Sequence, residues 1–295
     1  MATPDSPTAP ENRPVEPDAG TITRAAKSNL AFALACLPKE RRRDTVIFYA
    51  FCRTIDDLAD DEGQPVEKKA AGLAEWREGI ERGFANPTAL QASVTELRDR
   101  YQIPTELFSE LIRGCEMDLR PQRFGTWQDL SGYTHRVACV VGLISIYLFG
   151  CKDPQSEQYA VALGHALQLT NILRDVAEDL ANGVRIYLPL ADLARFQYTE
   201  RDLIGRVHDG RFLAAMNYQA DRAEGFFQEA GRHLTATDRS ALVSAEIMRE
   251  IYHTLLDKMR ADGFRVFDRR YRLSRPRKLA IFSKKLLREK FTHSR

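Results

Sequence analysis

The chain has 295 residues, 44% hydrophobic and 28% charged, the make-up of a globular protein able to bury one large core or two small ones. With 43 Lys and Arg against 41 Asp and Glu, the formal net charge is +2, so the molecule as a whole has no field to attract nucleic acid. Five scattered cysteines without CxxC spacing argue for reduced thiols over disulfides or zinc; with no visible signal peptide and no apolar run near ~18 residues, they point to a cytoplasmic protein without a membrane span.

Residues 1–20 hold five prolines and no aromatic, which predicts a disordered tail ahead of a domain over 21–295. The following segment, AAKSNLAFALACLP, has helical spacing and breaks at Pro38. Ile47, Phe48, Phe51, Ile55 and Leu58 then recur at helical spacing, so their helix is half buried. The same helix carries YAFCRTIDDLADD, with Asp56 and Asp60 four apart and Arg53 one turn before Asp56. Two outer helices are predicted over 66–101, divided at Asn86-Pro87. Another spans 104–119 with Leu107, Leu111 and Ile112 inward; Asp118 at its end reads as a capping or solvated residue first, with a place near the site as the alternative. From Trp127 to Gly150, small side chains (Gly132, Ala138, Gly142, Ser145) among large apolar ones suit close helix packing or a cavity wall.

The stretch QLTNILRDVAEDLANGVRIYLP, Gln168 to Pro189, repeats the acidic pattern with Asp175 and Asp179. Carboxylates four apart project from one helix face, one turn above the other. Unpaired, they repel and take up protons unless a cation sits between them. A DxxxD spacing alone is common on solvated faces. Two copies in apolar runs, with Arg174 beside the second pair and Arg185 after it, predict a diphosphate site. A hard cation such as Mg²⁺ would bridge the carboxylates, and guanidinium forks would hold phosphate oxygens. Asn182-Gly183 ends the helix. Two long helices follow over 211–234 and 237–262. The basic tail from Arg269 to Arg295 places Leu279, Phe282 and Leu286 on one side, a face that either covers a core edge or lies on an anionic membrane. The long segments have helical period throughout, and neither a GxGxxG turn nor a GKS/GKT loop occurs.

Together with YTHRVACVVG at Tyr133 to Gly142, the two aspartate motifs resemble the squalene and phytoene synthase family of head-to-head prenyl-diphosphate condensing enzymes, from about Lys27 to about Lys285. Within it the chain looks most like the bacterial presqualene diphosphate synthases of squalene and hopanoid pathways. The resemblance implies an all-α fold, a single-domain terpenoid-synthase-like bundle around a deep central cavity. It implies Mg²⁺-dependent condensation of two farnesyl diphosphates to presqualene diphosphate, with Mn²⁺ as a substitute and NADPH not expected. The rival activities are phytoene synthase, acting on geranylgeranyl diphosphate, and a complete NADPH-dependent squalene synthase. The family also includes non-catalytic assembly proteins that have lost their aspartates, whereas all four stand here.

Carried over by position, the metal ligands are Asp56, Asp60, Asp175 and Asp179. Diphosphate contacts fall on Tyr49, Arg53, Gln168, Asn171, Arg174, Arg185, Tyr187, Tyr252 and Arg269, and Tyr133, Arg53 and Tyr252 take catalytic places. Tyr133 reads either as a hydroxyl near the reacting diphosphate or as a buried tyrosine with a backbone partner. In the family, the region of Ser28, Asn29 and Leu30 also touches diphosphate, and Cys139 stands where many relatives have glycine or serine. The partners implied are farnesyl diphosphate and downstream squalene-pathway enzymes, in the cytoplasm or peripherally at the inner membrane face through the basic C-terminus, with no nucleic acid.

Overall fold

The computed structural model describes residues 34, 36–61 and 63–292; the tail over 1–20 and the triplet at 28–30 lie outside the described residues. The helices are α1 (Lys39–Asp60), α2 (Val66–Arg82), α3 (Ala89–Arg100), α4 (Thr105–Met117) and α5 (Trp127–Thr134). A π-helical turn (His135–Cys139) joins α5 to α6 (Val140–Phe149). There follow α7 (Gln155–Ala181), the short α8 (Leu190–Arg195) and α9 (Glu200–Ile204), then α10 (Gly210–His233), α11 (Val243–Ala261) and α12 (Arg275–Thr292). Among the described residues the only extended pairing is an isolated bridge between Arg123 and Ile186.

Local chemistry sets the helix starts. Proline precedes α1, α2, α4, α7 and α8, fixing φ at the entry to each. Thr88, Thr126 and Thr199 head α3, α5 and α9 in reciprocal capping boxes, and the Asp209 carboxylate caps α10.

Helix α7 is the hub. It is apolar on most sides from Ser156 to Val176, as a helix surrounded by others must be, and α5, the π turn, α6, α10 and α11 pack around it. Glycines permit the closest approaches. A Cβ on Gly164 would lie 2.5 Å from the Cys139 Cα, and one on Gly142 would lie 2.9 Å from the Ala160 carbonyl oxygen. Helix α1 lies on α2, α3, α4 and α6. Its buried stripe (Phe48, Phe51, Ile55, Ala59) is locked by aromatic contacts, Phe51 standing 5.4 Å from Trp76 and 5.5 Å from Phe108.

Three readings change. Helix α11 begins at Val243 rather than near Thr237, because the buried Asp238 carboxylate instead accepts the Lys152 and Asp153 backbone N–H groups and the Ser156 hydroxyl. The inner face of α12 centres on Ile281, packed on Ile247 and Ile251 and tied by Lys285 Nζ to Glu246 at 2.9 Å, whereas Leu279, grouped by spacing with Phe282 and Leu286, is 50% exposed. The run Trp127–Phe149 is long and apolar enough to cross a membrane, contrary to the expectation from sequence. Packing of α5, the π turn and α6 against α4 and α7 accounts for that apolar length.

Candidate active site

With the apolar stripe of α1 turned inward, Arg53, Asp56, Asp57 and Asp60 stand on its open side. Arg53 Nη1 donates to Asp56 at 3.0 Å and its Nη2 reaches Asp57 at 2.7 Å, so Asp57 shares that arginine. Tyr49 is half-buried one turn earlier. Although 51% of the Asp56 side chain is open to solvent, protein crowds it from every other direction. Its pKa is raised to about 6, by this burial first and by the Asp60 charge second, with Arg53 opposing.

The second pair projects from the last turns of α7. Arg174 grips Asp175 in a fork, with Nε donating at 2.8 Å and Nη2 making the second bond, and Tyr252 of α11 accepts from the same guanidinium. Asp179 backs onto an apolar recess of Ile172, Val176, Ile186 and Leu203. Burial there, and then the Asp175 charge, raise its pKa to about 8. One turn before Asp175, Asn171 Nδ2 donates to Gln168 at 3.4 Å, while Asn171 Oδ1 is buried with no hydrogen-bond partner.

After Ala181 the chain doubles back through two left-handed residues, Gly183 (φ +73°) and Val184 (φ +57°). That conformation is unfavourable for a β-branched residue. It is held by Arg123 Nη1 donating to the Val184 carbonyl at 2.7 Å and by the Arg185 N–H donating to the Asp179 carbonyl at 2.9 Å. The turn sends Arg185 across to α1, where Nη1 donates to Asp60 at 3.0 Å. One side chain thus spans the two aspartate helices.

Asp118 corrects the sequence reading. It follows α4, but instead of capping or facing water it accepts the hydroxyls of Tyr133 and Tyr187, both at 2.8 Å, and its carbonyl accepts from Arg185 Nη2 at 3.3 Å. The two rings stack at 5.2 Å. Burial pushes the Asp118 pKa up against the two tyrosine bonds. Its charge in turn raises both Asp56 and Asp179, which places it between the pairs. Tyr133 is therefore buried with a carboxylate partner, neither backbone-bonded nor free.

Arg269 lies apart from the aspartate pairs in this structure. It pairs with Asp262 at 2.8 Å and lies over the Tyr271 ring. Its neighbour Arg270 faces the site, with Nε 3.5 Å from Asp175 and Nη1 3.1 Å from Glu178.

The donor set fits a hard divalent cation. It offers oxygen ligands alone; Asp56 and Asp179 are driven toward protonation by burial first and by neighbouring carboxylate charge second; and the orphaned Asn171 Oδ1 is an acceptor that a cation satisfies.

A family model described as squalene/phytoene synthase matches residues 23–277. The 15-cis-phytoene synthase of Synechocystis sp. is 36% identical over 82% of this chain and 76% of its own length. The presqualene diphosphate synthase of Zymomonas mobilis subsp. mobilis is 35% identical over 83% and 84%. Among solved structures, the squalene synthase HpnC from Alicyclobacillus acidocaldarius superposes with a TM-score of 0.77 at 29% identity, covering 83% of this chain and 93% of that one. The all-helical isoprenoid synthase fold is that of the present chain.

Proposed function

The chain belongs to the squalene/phytoene synthase family of head-to-head prenyltransferases, and from that premise we propose that it condenses two geranylgeranyl diphosphates in a Mg²⁺-dependent reaction. The observation that carries the chemistry is the convergence of Asp56, Asp60, Asp175 and Asp179 around Asp118, with arginines interleaved. The twenty-carbon substrate replaces the farnesyl diphosphate suggested by the motifs, because several curated relatives at 34% to 36% identity carry the name phytoene synthase. A fifteen-carbon substrate is the second reading, favoured by the Zymomonas and Alicyclobacillus relatives.

Asp56, Asp60, Asp175 and Asp179, with Asn171 Oδ1, would hold Mg²⁺. When bound, the ion supplies Lewis-acid neutralisation of a departing diphosphate. Arg53, Arg174, Arg185 and Arg270 donate to the remaining phosphate oxygens. The Tyr133 and Tyr187 hydroxyls, aligned by Asp118, stand at the boundary between this polar mouth and the apolar bundle. Ionisation breaks the allylic C1–O bond, with the electron pair leaving on diphosphate. The C2–C3 alkene of the second substrate captures the cation, and loss of a proton closes a cyclopropane. Apolar walls keep water from quenching the cation.

Product analysis on purified protein with each substrate, Mg²⁺, and NADPH present or absent tests this. The expected result is a C40 product from geranylgeranyl diphosphate without NADPH. Presqualene diphosphate from farnesyl diphosphate, with the C20 substrate untouched, restores the fifteen-carbon reading. Squalene formed only on adding NADPH makes the protein a complete squalene synthase. No diphosphate release from either substrate removes the enzymatic reading in favour of an assembly role.

A further inference from the structure

The π-helical turn His135–Cys139 is where α5 and α6 meet the middle of α7. Such a turn adds a residue per hydrogen-bonded ring and recurs at functional positions. Here it presents His135 and Cys139, four apart, toward His165 of α7. Gly164 lets the helices close at this point. One ring nitrogen from each histidine and the Cys139 Sγ all lie within 4.8 Å of one another.

The surroundings of His165 determine which nitrogen is available. Thr134 Oγ1 donates its proton to the Ser131 carbonyl at 3.2 Å and lies 2.9 Å from His165 Nδ1. In the tautomer where that hydroxyl accepts from Nδ1–H, Nε2 carries the lone pair. This is the outer-sphere bond that orients metal-binding histidines. Phe226 and Trp127 brace the same ring, at 4.9 Å and 5.8 Å.

We propose that His135, Cys139 and His165 form a binding site for one Zn²⁺ ion, separate from the aspartate site. Two imidazoles and a thiolate suit a borderline-soft tetrahedral ion and leave its fourth position open. They are the wrong donors for Mg²⁺. Burial, with His135 adding to it, lowers the His165 pKa to about 4, so that imidazole is neutral at physiological pH, as a ligand must be. Burial also pushes the Cys139 thiol up, so a bound cation would have to displace its proton. On α7, His165 precedes Asp175 by ten residues, about 15 Å along the axis at the helical rise. Without zinc, Cys139 Sγ rests on the Val161 carbonyl at 3.2 Å.

Full-length protein, stripped with a chelator and returned to excess Mg²⁺, is titrated with Zn²⁺ against a chromophoric competitor, and Co²⁺ is substituted to read its absorption. One equivalent of zinc should bind, and the cobalt form should show a thiolate charge-transfer band. Cys139→Ala should abolish the band, and Cys139→Ala, His135→Ala and His165→Leu should each weaken zinc at least about a hundredfold, more than loss of an outer-sphere partner does. The double variant Asp175→Asn, Asp179→Asn should keep the full equivalent. Circular dichroism checks each fold; if His165→Leu fails to fold, the two alanine variants decide alone. Absence of a bound equivalent, zinc affinity unchanged in Cys139→Ala, or loss of zinc in the aspartate variant would overturn the proposal.

Discussion

Asp118→Asn should separate activity from stability. The raised pKa of Asp118 means that burial penalises its charge by more than the two tyrosine bonds and Arg185 return. Neutralising it without changing its shape should therefore cost under about 1 kcal/mol of stability. An amide, however, presents one acceptor and one donor. It can hold either Tyr133 or Tyr187 as Asp118 does, but not both. Misplacing one hydroxyl at the mouth forfeits one hydrogen bond to a charged group, about 1.5–3 kcal/mol, which in a rate is roughly a ten- to hundredfold loss of kcat. Asp118→Ala takes the carboxylate from both phenols and leaves only the hydrogen bond between their hydroxyls. At about 1–3 kcal/mol each, and about 2 °C per kcal/mol for a chain of this size, its Tm should fall by about 4 °C or more. The assay pairs steady-state turnover with thermal melts for Asp118→Asn, Tyr187→Phe and the double variant. Coupling of about 1–3 kcal/mol between the two sites is expected. Additive losses, or wild-type turnover in Asp118→Asn, would refute the positioning role.

EDTA should abolish turnover and Mg²⁺ or Mn²⁺ restore it, while Asp56→Ala, Asp60→Ala, Asp175→Ala and Asp179→Ala each lower kcat about 10²–10³-fold with helix content unchanged by circular dichroism. Asp57→Ala, which frees half of the Arg53 fork, should fall between these and wild type. Arg270→Ala should raise KM for diphosphate substrates severalfold more than Arg269→Ala; equal effects would put Arg269 back at the site. Bonds from Arg249 and Lys285 outweigh burial at Glu246 and lower its pKa from 4.5 to about 2. That stabilisation is fully present above pH ~4.5 and is lost as pH falls toward 2, about 3 kcal/mol in all. Denaturant titrations at pH 7 and pH 3 should show the loss in wild type and its absence in Glu246→Gln.

The helices and the four aspartates could be read from sequence because both signals are periodic within one element. Buried Phe48, Phe51, Ile55 and Ala59 fix the face of α1, and the i, i+4 spacing of Asp56 and Asp60 follows from that face alone. Asp118 was illegible for the opposite reason. Its partners lie fifteen and sixty-nine residues away, on α5 and in the turn after α7, so nothing within four residues distinguishes it from a cap. Arg270 was hidden similarly: it follows α11 in irregular chain, where no period dictates which guanidinium turns inward. Spacing alone grouped Leu279 with Phe282, whereas the inner face of α12 is set by Ile281 against Ile247 and Ile251 and by Lys285 reaching the buried Glu246.

The arrangement of charge gives the physical reason to expect that both aspartate pairs are needed. In each pair one carboxylate already has a cross-element or forked arginine: Asp60 has Arg185, and Asp175 has Arg174 with Arg270 behind it. The other member, Asp56 or Asp179, carries the raised pKa. Arg185 links Asp60 to the Asp118 carbonyl, so a charge change at one pair reaches the other through a single guanidinium. Among the described residues Glu178, Asp57 and Asp118 add further negative charge to the same mouth, leaving carboxylates in excess of the arginines facing it. A diphosphate, itself an anion, is repelled by that excess unless cations enter with it. Substrate and metal would therefore bind interdependently, and the arginines, engaged by carboxylates at rest, would be free for phosphate oxygens once Asp60 and Asp175 held cations.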